Sequence, residues 1–319
     1  MILLTGGAGF IGSCFLWKLN QEGIFDVIVV DRLSGEKWRN LVGKRFREFI
    51  HRDDLLPRLL RNELGTLEAI VHLGARTNTT DSNIAALLAD NYEYSKVLAR
   101  YAVERGIRFI YASSAATYGA GEQGFQESRL WALRPLSPYG FSKHLFDCWA
   151  AAEGILEHAV GVKLFNVYGP NEYHKGPMAS MVWHGFRKIQ QTGKMQLFKS
   201  TDSQYVDGEQ KRDFTYVKDV VAVLWKLLTQ PKLVGLYNVG TGQARSWNEL
   251  AHALFAALGK PVQIEYIEMP AELRSQYQNF TQADLSKLQA SGVVHSFRSL
   301  EEGVTEYVQE YLLPGQLYL

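Results

Sequence analysis

Residues 5–12 read TGGAGFIG, and the reading of this stretch decides the fold. It follows a short apolar run at residues 2–5 and opens an apolar-periodic segment at residues 9–21. Two glycine spacings are satisfied at once, Gly6-Gly9-Gly12 and Gly7-Gly9-Gly12. Small residues here permit a tight turn and let the backbone approach a pyrophosphate, whose charge is favoured at a helix N-terminus. A glycine pattern alone is weak evidence, but strand, turn and helix stand in the order the motif needs. Asp31 closes the next apolar run, DVIVVD, 19 residues after Gly12. An acid at that point accepts hydrogen bonds from adenosine ribose hydroxyls. Arg32, Lys37 and Arg52 follow within the next two segments, and cations beside such an acid can hold a 2′-phosphate. The sequence therefore predicts NADP as cofactor, with NAD as the alternative.

Outward from this turn the chain alternates short apolar runs with amphipathic stretches. Strands are expected at residues 26–31, 68–72, 108–112 and 160–165, and helices at 84–105 and 140–157. Apolar runs without alternation, set between helices, argue for a parallel sheet covered on both faces. The expected fold is α/β, a Rossmann-type doubly wound parallel sheet, with a smaller C-terminal α/β substrate-binding lobe. Residues 1–167 are expected to form the dinucleotide-binding domain, with about 212–240 returning to it, and 168–319 mainly the substrate-binding lobe. Further helices are expected at 178–191, 248–258 and 300–311, and strands at 237–240 and 263–267. The stretch KSTDSQYVDGEQKRDF, from Lys199, lacks periodicity and reads as an exposed excursion.

Composition narrows the partners. The chain has 319 residues, 46% hydrophobic and 21% charged, with a net charge of +1, which suits a globular protein and gives no basic stripe for nucleic acid or an anionic membrane. No apolar run approaches the roughly 20 residues of a membrane span. Cys14 and Cys148 are the two cysteines, too few for a disulfide framework. No leader-like segment precedes the first strand, so the cytoplasm is the expected location. The 8 histidines show no HExxH spacing, and no metal is expected.

Tyr139 and Lys143 stand in PYGFSKH, a Tyr-x-x-x-Lys spacing that puts both on one helix face. A neighbouring cation stabilises a phenolate and makes tyrosine a usable base. Ser114, at the end of the RFIYA run and its sequel, can offer a hydroxyl to the same substrate oxygen.

With TGGAGFIG and SSAATYG in this order, the chain resembles the extended short-chain dehydrogenase/reductases that act on nucleotide sugars. The segments YASSAATYG, NYEYSK, NVYGP, HKGPMAS, KRDFTYVKDV, YNVGTG, FTQADLSKL and EGVTEY are similar to its ADP-heptose 6-epimerase branch, and they run through nearly the whole chain. The resemblance implies an ADP-heptose substrate inverted at C6 by transient oxidation, and self-association, as a homopentamer. It implies that Ser114, Tyr139 and Lys143 are catalytic, and that Lys175 of HKG is a second acid on the opposite sugar face. It places Gly6, Gly9, Phe10, Ile11, Gly12, Asp31, Arg32, Lys37, Arg52, Asn91, Tyr139 and Lys143 around the cofactor. It places Asn166, Lys175, His184, Phe198, Arg212 and Tyr277 at the substrate. Three features depart from the branch: Leu73 where an acid is common, Pro177 where serine is usual after HKG, and a longer 201–210 stretch. A 4,6-dehydratase would carry an Asp-Glu pair where this chain has Ala115 and Ala116. A UDP-sugar 4-epimerase fits the trio equally and would not need Lys175. A non-catalytic dinucleotide sensor often loses the Tyr or the Lys, and both are here.

Overall fold

The computed structural model describes residues 1–293 and 295–319. Its central sheet contains β1 (Ile2–Thr5), β2 (Val27–Asp31), β3 (Glu48–His51), β4 (Ala69–His72), β5 (Arg108–Ser114), β6 (Ala159–Leu164) and β7 (Gly235–Val239). The strands are all parallel, in the order β7-β6-β5-β4-β1-β2-β3. The main helices are α1 (Phe10–Gln21), α2 (Arg52–Leu60), α3 (Tyr94–Glu104), α4 (Pro138–Ala152), α5 (Met181–Thr192), α6 (Val217–Thr229) and α7 (Trp247–Ala257).

Alternate strand residues face opposite sides, and both sides are covered. Leu4, Val29, Val71 and Ile110 pack with α1 and α6, whereas Leu3, Val30, Ile70 and Phe109 pack with α2, α3 and α4. Both sets are buried, which is why the strands read as unbroken apolar runs. The strand order reverses between β1 and β4, and the crevice at their C-terminal ends is the place where such sheets bind ligands.

Beyond β6 a third apolar cluster joins Val182 and Ile189 of α5, Leu250 and Leu254 of α7, and Val304 and Tyr307 near the C-terminus. Two short ladders accompany it, Met195–Phe198 parallel to Ile264–Ile267, and Lys211–Asp213 antiparallel to Ala244–Ser246. Among the described residues no helix is long and apolar enough to cross a membrane.

Several elements differ from their sequence expectation. The stretch at 84–105 is interrupted by a π-helical turn at Ala89–Glu93, which buries Asn91; such turns recur at functional sites. The helix expected over 140–157 starts at Pro138, capped by Ser137, and stops at Ala152. Gly154 at φ +70° ends it, a left-handed position that favours glycine. β3, α2 and α6 had no counterpart in the periodicity reading. The 201–210 excursion is tied down at its end: Asp207 accepts from the Ser200 amide at 2.8 Å, and Asn248 donates to the Asp207 carbonyl at 3.0 Å.

Candidate active site

The glycine turn is locked by contacts that exclude side chains. Gly6 has φ +68°, and a Cβ on it would lie 2.5 Å from the Gly74 nitrogen. A Cβ on Gly12 would lie 2.0 Å from the Gly6 carbonyl oxygen. The turn is thereby wedged between α1 and the chain leaving β4. Gly9 donates to the Gly6 carbonyl at 2.9 Å, and no side chain caps α1. Its first-turn amides, with the positive end of the helix dipole, suit a pyrophosphate. Asp31, at the end of β2, accepts from the Ala8 amide at 2.9 Å and the Arg32 amide at 2.7 Å, and pairs with Lys37. Arg32 bonds Asp53 at 2.7 Å, and Arg52 bonds Asp90 at 2.6 Å while lying over the Tyr94 ring. Gly6, Asp31, Arg32, Lys37 and Arg52 border one cavity of about 240 Å³, joined by Arg76 and Asp90. The glycine cradle, the uncapped helix end and the strand-end acid fit a nicotinamide dinucleotide.

A second cavity of about 400 Å³ brings together Phe10, Ile11, Ser114, Tyr139, Lys143, Asn166 and Lys175. Ser114 ends β5, and its hydroxyl accepts from the Ala116 amide at 3.1 Å. Tyr139 and Lys143 lie one turn apart on α4. The Lys143 ammonium donates to the Ala112 carbonyl at 3.0 Å. Burial lowers its pKa to about 8, against the pull of Asp147. Burial raises the Tyr139 phenol, and the Ser114 hydroxyl opposes that rise. Lys175 reaches the cavity from a short turn, Tyr173–Met178, with its ammonium 5.2 Å from the Phe10 ring centroid. Burial lowers its pKa and Glu172 opposes the drop.

This turn is fastened to the cofactor side by Asn40. The Asn40 amide nitrogen donates to the Ala8 carbonyl at 2.9 Å and the Asn171 carbonyl at 3.1 Å, and meets His174 Nδ1 at 3.1 Å. Asn40 belongs to the same short helix as Lys37. Burial, with Lys37 and Lys175, depresses His174 to about 4.

Other expected residues sit elsewhere. Asn91 lies behind both cavities: its oxygen accepts from the Arg76 amide at 2.8 Å, and its nitrogen donates to the Arg76 carbonyl and to Ser142 at 3.0 Å. Ser142 in turn donates to the Tyr139 carbonyl at 2.8 Å, so Asn91 is placed to brace the tyrosine helix. Gly9 and Gly12 shape the turn from below. Arg212 is buried between aromatic rings, 4.8 Å from Tyr277 and 5.6 Å from Trp247, and Trp247 borders the second cavity. Burial lowers the Arg212 pKa, with Tyr277 opposing. His184 and Phe198 border neither cavity; His184 Nε2 is buried without a hydrogen-bond partner. Arg76, Trp247 and Gln278 border the cavities without having been singled out in the sequence. No local pattern marks them; the fold alone brings them there.

Below Ser114 lies a fully buried ion pair, Lys163 to Asp147 at 2.6 Å. Asp147 also accepts from Tyr111 at 2.9 Å and Ser113 at 2.6 Å. Lys163 donates to Thr117 at 2.8 Å, and Thr117 donates to the Ser114 carbonyl at 2.8 Å.

Comparison with known proteins agrees with this architecture. A model of the NAD dependent epimerase/dehydratase family matches residues 2–240. The chain belongs to this family. A Nitratidesulfovibrio vulgaris (strain DP4) protein named ADP-L-glycero-D-manno-heptose-6-epimerase is 49% identical, with 100% of each chain covered. The crystal structure of the Helicobacter pylori ADP-L-glycero-D-manno-heptose-6-epimerase superposes with a TM-score of 0.84 at 30% identity, covering 97% of this chain and 95% of that one. The Thermus thermophilus UDP-glucose 4-epimerase in complex with NAD gives a TM-score of 0.79 at 26% identity, covering 96% and 97%.

Proposed function

We propose that this protein inverts C6 of ADP-D-glycero-D-manno-heptose to the L-glycero form with a bound NADP, a step toward the inner-core heptose of lipopolysaccharide. The observation that carries this reading is that Tyr139 and Lys175 border one cavity from separate elements, α4 and the Tyr173–Met178 turn. Two proton-active groups then meet one substrate, which an inversion through a ketone requires. A bound nicotinamide dinucleotide supplies the hydride acceptor and, in the return direction, the hydride donor.

Tyr139 takes the proton of the C6 hydroxyl as C6 loses hydride, and the Ser114 hydroxyl bonds the same oxygen. The C6 ketone then presents its other face. Lys175 gives a proton to the ketone oxygen as hydride returns to C6, so a hydroxyl of opposite configuration forms with no net oxidation. Lys143 supports the Tyr139 phenolate with its charge. Arg212, buried between Trp247 and Tyr277, is assigned to the diphosphate through charge-assisted hydrogen bonds. For the cofactor, Arg32, Lys37, Arg52 and Arg76 outnumber Asp31 and Asp90 around the adenosine cavity, which favours a 2′-phosphate.

The test is Lys175→Met with ADP-heptose, following C6 configuration by NMR. Turnover is expected to fall about 10²–10⁴-fold, the usual worth of a general acid, with the dinucleotide still bound. Undiminished turnover, or inversion of a UDP-sugar at C4 in its place, overturns the reading. Denaturing the native protein should release NADP; release of NAD overturns the cofactor assignment alone.

A further inference from the structure

Glu172 is a carboxylate that neither cavity uses. It is fully buried, three residues before Lys175 and at the N-cap of the same turn. Four donors converge on it. The Gly169 amide at 3.3 Å, the Ser180 hydroxyl at 2.7 Å and the Tyr307 hydroxyl at 3.1 Å reach Oε1, and the Ser180 amide reaches Oε2. Gly169 precedes the turn and Ser180 follows it, where Ser180 also caps α5. One carboxylate thus pins both ends of the segment that carries Lys175, and Tyr307 anchors it to the C-terminal cluster. The Glu172 carbonyl accepts from the Lys175 amide at 3.0 Å. A buried carboxylate is costly unless its oxygens are bonded and its charge is offset. The donors meet the first need, and the charge points to the second.

We propose that Glu172 is the positioning residue of the second acid: its carboxylate holds the turn closed and supplies the counter-charge for the Lys175 ammonium at the cavity wall. The proposal rests on the assignment of Lys175 as that acid. Burial raises the Glu172 pKa, and the attraction of Lys175 is the largest effect opposing that rise. At Lys175 the attraction of Glu172 is the effect opposing burial. The other groups around the pair leave this attraction unrivalled. Lys175 has His174 beside it on its own turn and the Phe10 ring from α1, and borders the same cavity as Tyr139. His174 is neutral near pH 7 because its pKa falls to about 4. Glu172 faces Cys14 of α1, whose thiol burial keeps protonated, and the phenols of Tyr173 and Tyr307. Lys143, the other cavity lysine, feels the charge of Asp147 and not that of Glu172.

The experiment measures the pH midpoint of Lys175 itself, by acetic anhydride labelling and peptide mass spectrometry of the full-length protein, beside its epimerisation of ADP-heptose. In Glu172→Gln the midpoint is expected to fall by about one pH unit, the usual effect of losing an adjacent opposite charge. Epimerisation above the new midpoint falls about tenfold with it. Glu172→Asp, which keeps the charge but withdraws it by one methylene, moves the midpoint the same way by less, and decides the matter if the glutamine variant does not fold. A midpoint unmoved in the folded variants overturns the role of Glu172, even where activity drops. Lys175→Met separates the two levels. If it stays fully active, the acid assignment fails and the proposal with it; if it is inactive while the midpoint is unmoved, only the role of Glu172 fails.

Discussion

Lys163→Met removes the cation from the ion pair beneath Ser114 and leaves Asp147 buried. Both side chains are 0% exposed, so water cannot replace the lost partner. Breaking a buried pair on one side costs about 3–5 kcal/mol. Asp147 would keep its bonds from Tyr111 and Ser113, which puts the cost at the lower end, about 3 kcal/mol. The second loss is at Thr117, which no longer receives the Lys163 ammonium and holds the Ser114 carbonyl less firmly. Urea unfolding with linear extrapolation reads the first effect, and kcat under saturating substrate reads the second. The double variant Lys163→Met, Asp147→Asn removes both charges, and should cost about 2 kcal/mol less than the sum of the single variants. A single Lys163→Met cost under about 1 kcal/mol, the worth of a surface pair, would refute the reasoning, as would simple additivity.

Gly12→Ala would put a methyl carbon 2.0 Å from the Gly6 carbonyl oxygen, so the glycine turn must shift. The expected outcome is protein that folds, with a stability loss of about 1–3 kcal/mol, but is purified without nicotinamide absorbance. Lys143 has its pKa depressed from 10.5 to about 8, so between these values the unfolded chain holds a proton that the folded one has lost. Stability contributed by this site therefore rises with pH across that window and is lowest below pH 8. Lys143→Met should flatten that slope in urea midpoints taken from pH 7.5 to 10, and an unchanged slope would contradict the depression.

Much of this was legible in the chain because the signals are local. TGGAGFIG concentrates strand, turn and helix in one octet, and strands covered on both faces read as apolar runs. Tyr139 and Lys143 are legible because a helix puts fourth neighbours on one face. β3 and α2 were missed for the converse reason. EFIH holds one fully buried residue, Ile50, and α2 carries Pro57 among its charges, so neither displays a clean period. The π turn at Asn91 shifts the helical phase by one residue, which a fixed-period reading cannot follow. Glu172 and Asp147 look like surface acids in sequence. Among their donors are Tyr307, 135 residues from Glu172, and Tyr111, 36 residues from Asp147, distances over which no pattern of spacing operates.

Asn40 has a mechanical consequence. One amide nitrogen joins the glycine turn at Ala8 to the backbone at Asn171, and the helix bearing it also bears Lys37. The spacing between the glycine turn and the Lys175-bearing turn is therefore set by Asn40 together with Asn171, whose own amide donates to the Ser13 hydroxyl of α1 at 2.9 Å. Errors of placement do not accumulate over the sequence separation of 131 from Asn40 to Asn171, since these side chains bypass the intervening chain. The two walls of the cavity bordered by Phe10 and Lys175 are thereby held at a fixed span.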